Sequence, residues 1–305
     1  MYIKRIALML VALLCVSSSV FAAYNSVVVY GDSLSDNGNL YNATGHQYPP
    51  SPPYYEGRRS NGPVAVEQLA SSLNVPIVDH AWIGATTGVG NYADGGTVTT
   101  FGSPGLPGMS SIYAATKASL TPYLSHGLFV IWGGPNDVLT NYPQDAPSVI
   151  VARAVSNELA IITDLLGAGA RTILAPGMPD LGLTPYFQSL GPAGIALGTG
   201  ITNAFNTTLQ AQLPSGVRYY DTAALLRDVI AHPTAYGFTN ATDYYLHALT
   251  GNPNDYVFYD DFHPSAATHA ILAKEFQNAT AVPEPSTLLI LGSGFGLMLV
   301  WRRRK

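Results

Sequence analysis

Five short runs of apolar, largely β-branched residues, separated by stretches of helical periodicity, constrain this chain more than any other feature. The runs cover residues 26–30, 75–78, 128–132, 171–175 and 217–220. Being short and apolar on both sides, they read as strands buried on both faces. The helical stretches cover residues 64–73, 148–166, 201–213, 222–230 and 265–276. Alternating strand and helix implies a mostly parallel sheet covered by helices on both sides. No fixed-period repeat or biased linker interrupts residues 24–280, so one domain is the simplest division. Two regions escape the pattern: 88–109 is rich in Gly, Thr and Pro, and 232–261 in Asn, Asp, Tyr and Pro. Irregular segments of that length in a compact domain are expected to be functional loops.

Only 11% of the 305 residues are charged while 47% are hydrophobic, which points to apolar segments outside the fold. Both ends supply one. Lys4 and Arg5 precede an apolar run at 6–16 and small residues at 17–23, the layout of a secretory signal peptide spanning 1–22. Cleavage after Ala23 is nearly equivalent to cleavage after Ala22, and an uncleaved anchor is disfavoured by the shortness of the run. The single cysteine, Cys15, lies inside it. The body therefore has no disulfide, thiolate metal site or cysteine nucleophile. At the other end, Val282-Pro283-Glu284-Pro285-Ser286 leads into an apolar stretch at 287–301 and then Arg302-Arg303-Arg304-Lys305. A short transmembrane helix there, with its cationic flank in the cytoplasm, leaves the body outside, in agreement with the N-terminal signal. Six of the fourteen basic residues sit in these two ends, leaving eight against eighteen acidic residues in the body. Without a basic patch, nucleic acid is excluded as a partner.

In an open parallel sheet, ligands gather beyond the carboxyl ends of the strands, and three informative segments fall there. Gly31-Asp32-Ser33-Leu34-Ser35-Asp36-Asn37-Gly38-Asn39 follows the first strand, where Ser33 can present its hydroxyl to a cleft. A serine hydroxyl needs a base and donors for an oxyanion before it acts as a nucleophile. Trp132-Gly133-Gly134-Pro135-Asn136-Asp137 follows the third strand and offers the amide N–H groups of Asn136. Tyr259-Asp260-Asp261-Phe262-His263-Pro264-Ser265 precedes the last helix, where Pro264 fixes His263 in an extended turn and Asp260 can fold back onto its ring. Asp261 is the rival for that orienting role.

Read together, these segments resemble the GDSL family of lipases and esterases, also called SGNH hydrolases. Ser33 carries the opening block, Ala81-Trp82-Ile83-Gly84-Ala85-Thr86-Thr87 is similar to the glycine block, Gly134-Pro135-Asn136-Asp137 to the asparagine block, and Asp260-Asp261-Phe262-His263-Pro264 to the final one. Ser51 to Gly62, reading Ser-Pro-Pro-Tyr-Tyr-Glu-Gly-Arg-Arg-Ser-Asn-Gly, looks like a stretch common in one long-chain branch. The resemblance implies a three-layer α/β/α flavodoxin-like fold with a mostly parallel five-stranded sheet. It implies Ser33 as nucleophile, His263 as base and Asp260 as its orienter. The oxyanion donors would be the backbone N–H of Ser33, that of Gly84 and the side chain of Asn136. No cofactor or metal is expected. Substrates would be esters: a lipid, a small ester or an acylated glycan. The same chemistry admits an acyltransferase or a polysaccharide deacetylase, and the rival from another class is a non-catalytic polysaccharide-binding surface module.

The C-terminal tripeptide, apolar stretch and arginine cluster at 282–305 resemble the PEP-CTERM sorting signal. That resemblance implies processing by an exosortase-type enzyme, with passage from the periplasmic side of the inner membrane to the outer surface or the medium. Other readings are weaker. No Gly-x-Ser-x-Gly elbow occurs, which disfavours an α/β-hydrolase. Gly88-Val89-Gly90-Asn91-Tyr92-Ala93 fits a dinucleotide pattern but follows no strand. Among the remaining histidines, His46 and His80 are candidates to line the cleft, and Tyr54, Tyr55 and Tyr92 to wall it.

Overall fold

The computed structural model describes residues 24–281. The expected signal peptide (1–22) and the sorting segment (282–305), with its apolar helix and basic tail, lie outside them. The chain runs β1 (Ser26–Gly31), α1 (Ala65–Leu73), β2 (Ile77–Asp79), α2 (Met109–Thr116), β3 (Gly127–Trp132), α3 (Pro135–Asn141), α4 (Pro147–Ala168), β4 (Thr172–Pro176), α5 (Gly191–Gln212), β5 (Arg218–Tyr220), α6 (Thr222–Ala231), β6 (Asn240–Tyr244), β7 (Tyr256–Phe258) and α7 (Ala266–Thr280). Strands β2-β1-β3-β4-β5 form one sheet, parallel throughout, with Val28 opposite Phe129 and Phe129 opposite Ile173. This is the three-layer α/β/α arrangement that the alternation predicts.

The alternation of side chains along a strand sorts the core into two layers. Val28, Tyr30, Phe129, Ile131 and Ile173 face α2 and α4, meeting Met109, Ile112, Ile161 and Leu165. The opposite face takes α1 and α7, which pack on each other and on the sheet. There Phe276 stands edge-on to Trp132 and Tyr220, with centroids 5.3 and 5.7 Å away. Every residue of β1 and β3 is buried, which is why both read as unbroken apolar runs. Each fully buried Val, Leu, Ile or Phe contributes about 1.5–3 kcal/mol, so these two strands anchor whatever hangs from their ends.

Two departures from the sequence expectations have physical causes. Helix α5 starts ten residues before its periodic pattern, through Gly194, Gly198 and Gly200, which disfavour helix. A Cβ on Gly198 would lie 2.6 Å from the Gly182 nitrogen, so the bare backbone lets the helix settle against the turn at Leu181–Leu183. Thr199 and Thr202 add bonds to Asp180 (2.8 Å) and the Leu181 N–H (3.1 Å). The second departure is in 232–261, expected to be irregular: it holds β6 and β7, a parallel pair with a register irregularity. Its buried residues, among them Phe238, Ala241, Val257 and Phe258, pack with Val229 of α6. Three to five residues per strand among Asn, Asp and Tyr show no readable period. Of the loop expected at 88–109, residues 88–108 hold the turn Tyr92–Asp94 and an isolated bridge from Asn91 to Ala85, and Met109 already opens α2. Among the described residues no helix is long and apolar enough to cross a membrane.

Candidate active site

The turn after β1 is built by one aspartate. The Asp32 carbonyl accepts the N–H groups of Ser35 and Asp36 (3.0 and 2.9 Å), and its carboxylate that of Leu34 (3.0 Å). This closes the chain sharply and leaves Ser33 at the strand end, 8% exposed. Asp36 then binds the turn to the glycine block. Its carboxylate accepts the N–H groups of Gly38, Asn39, Leu40 and, from the other segment, Ile83 at 2.8 Å. Gly84 sits next in a left-handed conformation, φ +79°, where a Cβ would lie 2.3 Å from Asn91 Oδ1. Only glycine fits there. Among the described residues, nothing accepts a hydrogen bond from the Ser33 or Gly84 N–H.

Asn136 opens α3, and its Nδ2 donates to the Ala85 carbonyl at 3.0 Å. A second contact, to Asp32 Oδ2 at 3.4 Å, lies at the weak limit of hydrogen-bond geometry. Its neighbour Asp137 accepts both the N–H and the hydroxyl of Thr87, at 2.8 and 2.7 Å, tying α3 to the glycine block. Gly133 N–H donates to buried Glu158 of α4 at 2.8 Å. Burial raises Asp32 to about 7 and Asp137 to about 6, and it pushes Glu158 well above the usual carboxylate range.

Before α7 the chain presents His263. Its Nε2 lies 2.8 Å from Ser33 Oγ, and its Nδ1 lies 2.7 and 2.9 Å from the two oxygens of Asp260. Asp260 Oδ1 also accepts the N–H groups of Phe262 (2.9 Å) and His263 (2.7 Å), the fold-back that the three-residue spacing suggests. Burial works to raise Asp260, but the charge and bond of His263, with the Tyr54 hydroxyl and Phe262 N–H, outweigh it and hold the carboxyl at about 2. An ionised carboxylate only accepts, so Nδ1 carries the proton and Nε2 is left to accept from the Ser33 hydroxyl. Asp260, rather than Asp261, bonds the ring; the Asp261 carbonyl instead accepts the Tyr186 N–H.

Ser33, Gly84, Asn136, Asp260 and His263 all line one cavity of about 520 Å³ at the carboxyl ends of β1 and β3. Leu139, Leu225, Leu226 and Ile271 make part of its apolar wall, and Tyr48, Arg59 and Tyr92 part of its rim. His46 and His80 do not reach it; His80 stacks on Tyr30 at 4.9 Å. Among the described residues no group of His, Cys, Asp and Glu is arranged to hold a metal ion.

Sequence reasoning missed several residues that organise the site. Asp36 lies in the dense turn signal Asp36-Asn37-Gly38-Asn39, so its bonding to nearby N–H groups was readable there. Asn91 locks the glycine block through Nδ2 to the Ile83 carbonyl at 2.9 Å, and nothing local signals it. Of the candidate wall residues, Tyr92 lines the cavity while Tyr54 and Tyr55 do not; the Tyr54 hydroxyl instead donates to Asp260 Oδ2 at 2.7 Å.

Comparison with known proteins adds independent findings. The chain is 29% identical over 275 residues to a thermolabile hemolysin of Vibrio parahaemolyticus, covering 82% of this chain and 62% of that one. It is 33% identical over 190 residues to a phosphatidylcholine-sterol acyltransferase of Aeromonas hydrophila, covering 59% and 52%. The chain thus spans between half and two thirds of the length of these curated relatives. An acetyl xylan esterase, AlAXEase, shares the fold with a TM-score of 0.50 at 10% identity, over 83% of this chain and 98% of that one. Residues 281–305 match the PEP-CTERM protein-sorting motif, a mark of export and sorting to the cell surface. Residues 27–276, which include the whole serine-histidine-aspartate constellation, match the model of the GDSL-like lipase/acylhydrolase. The chain belongs to that family.

Proposed function

We propose that this chain hydrolyses carboxylic esters through an acyl-enzyme formed on Ser33. One observation carries the reading: Ser33 Oγ, His263 and Asp260 form a continuous chain of contacts at 2.8 and 2.7 Å on the wall of an apolar cavity. His263 Nε2 takes the hydroxyl proton as Ser33 Oγ attacks the ester carbonyl, and Asp260 holds the ring and stabilises the charge it gains. The carbonyl oxygen becomes an oxyanion facing the Ser33 and Gly84 N–H groups and the Asn136 amide, which exchanges its weak Asp32 contact for a stronger acceptor. His263 returns the proton to the leaving alcohol, then activates water to release the acid.

The substrate is an ester of a lipid, a small alcohol or a glycan, and the apolar wall of Leu139, Leu225, Leu226 and Ile271 favours an aliphatic acyl group. Ser33→Ala should lower kcat on a p-nitrophenyl ester by at least about 10³-fold and abolish labelling by a fluorophosphonate. Undiminished turnover in that variant would refute the assignment. A panel of esters from acetyl to palmitoyl, with acetylated glycans, identifies the acyl and alcohol groups. The relative named as an acyltransferase favours a second reading, in which an alcohol replaces water in the last step; adding glycerol or a sterol and looking for a new ester separates the two. The proposed organisation is a signal peptide at 1–22, a hydrolase domain at 24–280 and a sorting segment at 282–305, processed by an exosortase-type enzyme after export to the periplasmic side of the inner membrane.

A further inference from the structure

The stretch 51–62 carries a distinctive sequence, yet among the described contacts none of its residues bonds Ser33 or the His263 ring. Four of its contacts run to the segment that carries the base. The Tyr259 hydroxyl donates to the Pro53 carbonyl at 2.6 Å, Ser60 Oγ to the Pro264 carbonyl at 2.9 Å, and the Ala266 N–H to Asn61 Oδ1 at 2.8 Å. Between these, Tyr54 donates to Asp260 Oδ2 at 2.7 Å, and Arg59 Nη1 donates to the Tyr54 hydroxyl at 2.8 Å while lying 3.8 Å from the same carboxylate oxygen. Arg59 is itself fixed, its guanidinium 5.1 and 4.9 Å from the ring centroids of Tyr48 and Tyr54. Arg58 ties the stretch to α1 through Glu67 at 2.6 Å.

We propose that residues 51–62 are a clamp on the base-bearing segment, with Tyr54 and Arg59 as positioning residues that keep the Asp260 carboxylate turned toward His263; this rests on the hydrolase reading above. Asp260 Oδ1 has two backbone donors of its own, whereas Oδ2 has, besides the ring, only Tyr54. A buried carboxylate oxygen without a donor would rotate toward any other partner or give up its charge. Burial and the Asp260 charge keep the Tyr54 phenol protonated, so it remains a donor across the working pH range. Arg59 supplies the positive charge behind it. The arrangement extends the line Ser33, His263 and Asp260 by two further members, contributed by a segment about 206 residues earlier in the chain.

The test is the pH dependence of kcat/KM on p-nitrophenyl butyrate for the full chain and for Tyr54→Phe, Arg59→Lys and Arg59→Gln. Losing the Tyr54 donor concentrates negative charge on Asp260, so the His263 ring keeps its second proton to higher pH. The acidic limb of the Tyr54→Phe profile should move up by about half to one unit, with kcat lower by on the order of tenfold. Arg59→Gln should move the limb the same way, and Arg59→Lys should restore most of it. A limb is read only from molecules that turn over, so partial unfolding lowers the amplitude without moving it. An unmoved limb in Tyr54→Phe overturns the proposal, whether or not the amplitude falls. A loss in Arg59→Gln confined to KM overturns it too, because Arg59 would then be a substrate contact. A wild-type chain that turns over no ester sinks the hydrolase reading and the clamp with it, whereas an active wild type with an unmoved limb sinks the clamp alone.

Discussion

The half of the site that carries Ser33 and the half that carries His263 are secured in opposite ways. The Ser33 turn grows out of a strand buried along its whole length and is closed mostly by bonds to residues within four positions, through Asp32 and Asp36. The His263 segment leaves a three-residue strand and, besides the local fold-back of Asp260, is held by side chains and carbonyls roughly 205 positions away. Their electrostatics differ as well. Behind Ser33 and Asn136, burial raises Asp32, Asp36, Asp137 and Glu158, while on the other side His263 and Tyr54 bring Asp260 down against its burial. Ser33 and Asn136 thus rest on the ends of fully buried strands, and His263 is fitted to them from outside.

The comparison can be broken experimentally. The largest expected effect is on the sheet-borne half: Asn136→Ala should lower kcat by on the order of 10²–10³ with little change in KM, measured by steady-state kinetics. A loss confined to KM would remove Asn136 from the oxyanion role. Next, Asp36→Ala strips a buried acceptor from four N–H groups and should cost roughly 3 kcal/mol in urea unfolding. Asn61→Ala removes two long-range ties, to the Ala266 N–H and, at an exposed position, to Asn254 Oδ1, and should cost about 1 kcal/mol while lowering kcat more than Tm. Equal losses in these two variants would erase the distinction between a locally built half and a clamped one.

The smallest expected effect is the dependence of stability on pH. Asp32 and Asp137, with folded values near 7 and 6 above the unfolded ~3.9, cost stability when ionised, and that cost is relieved as pH falls through those values. Asp260, held near 2, contributes stability that is full above ~4 and lost as pH falls toward 2. Tm followed from pH 8 to pH 2.5 should therefore rise on mild acidification, peak between about 4 and 5, and then drop. A monotonic fall from pH 8 would show that the acids behind Asn136 are not strained.

What could be read from sequence follows the same division. The strands, the Ser33 turn and the fold-back of Asp260 onto His263 are encoded over a few residues, where apolar runs, turn residues and Pro264 speak directly. Helix α5 was half hidden, because Gly198 is chosen for close approach to Gly182 rather than for helix formation. Strands β6 and β7 bury too few residues to show a period. The bonds from Tyr54, Asn61 and Asn91 join segments with no local signal for one another, so the stretch 51–62 could be recognised as a pattern without revealing its use.

The separation of 230 residues between Ser33 and His263 orders events in time. A polypeptide made from its amino end delivers the hydroxyl early and the imidazole late, after every strand of the fold. Until that final stretch arrives and is gripped, the Ser33 hydroxyl has no base beside it.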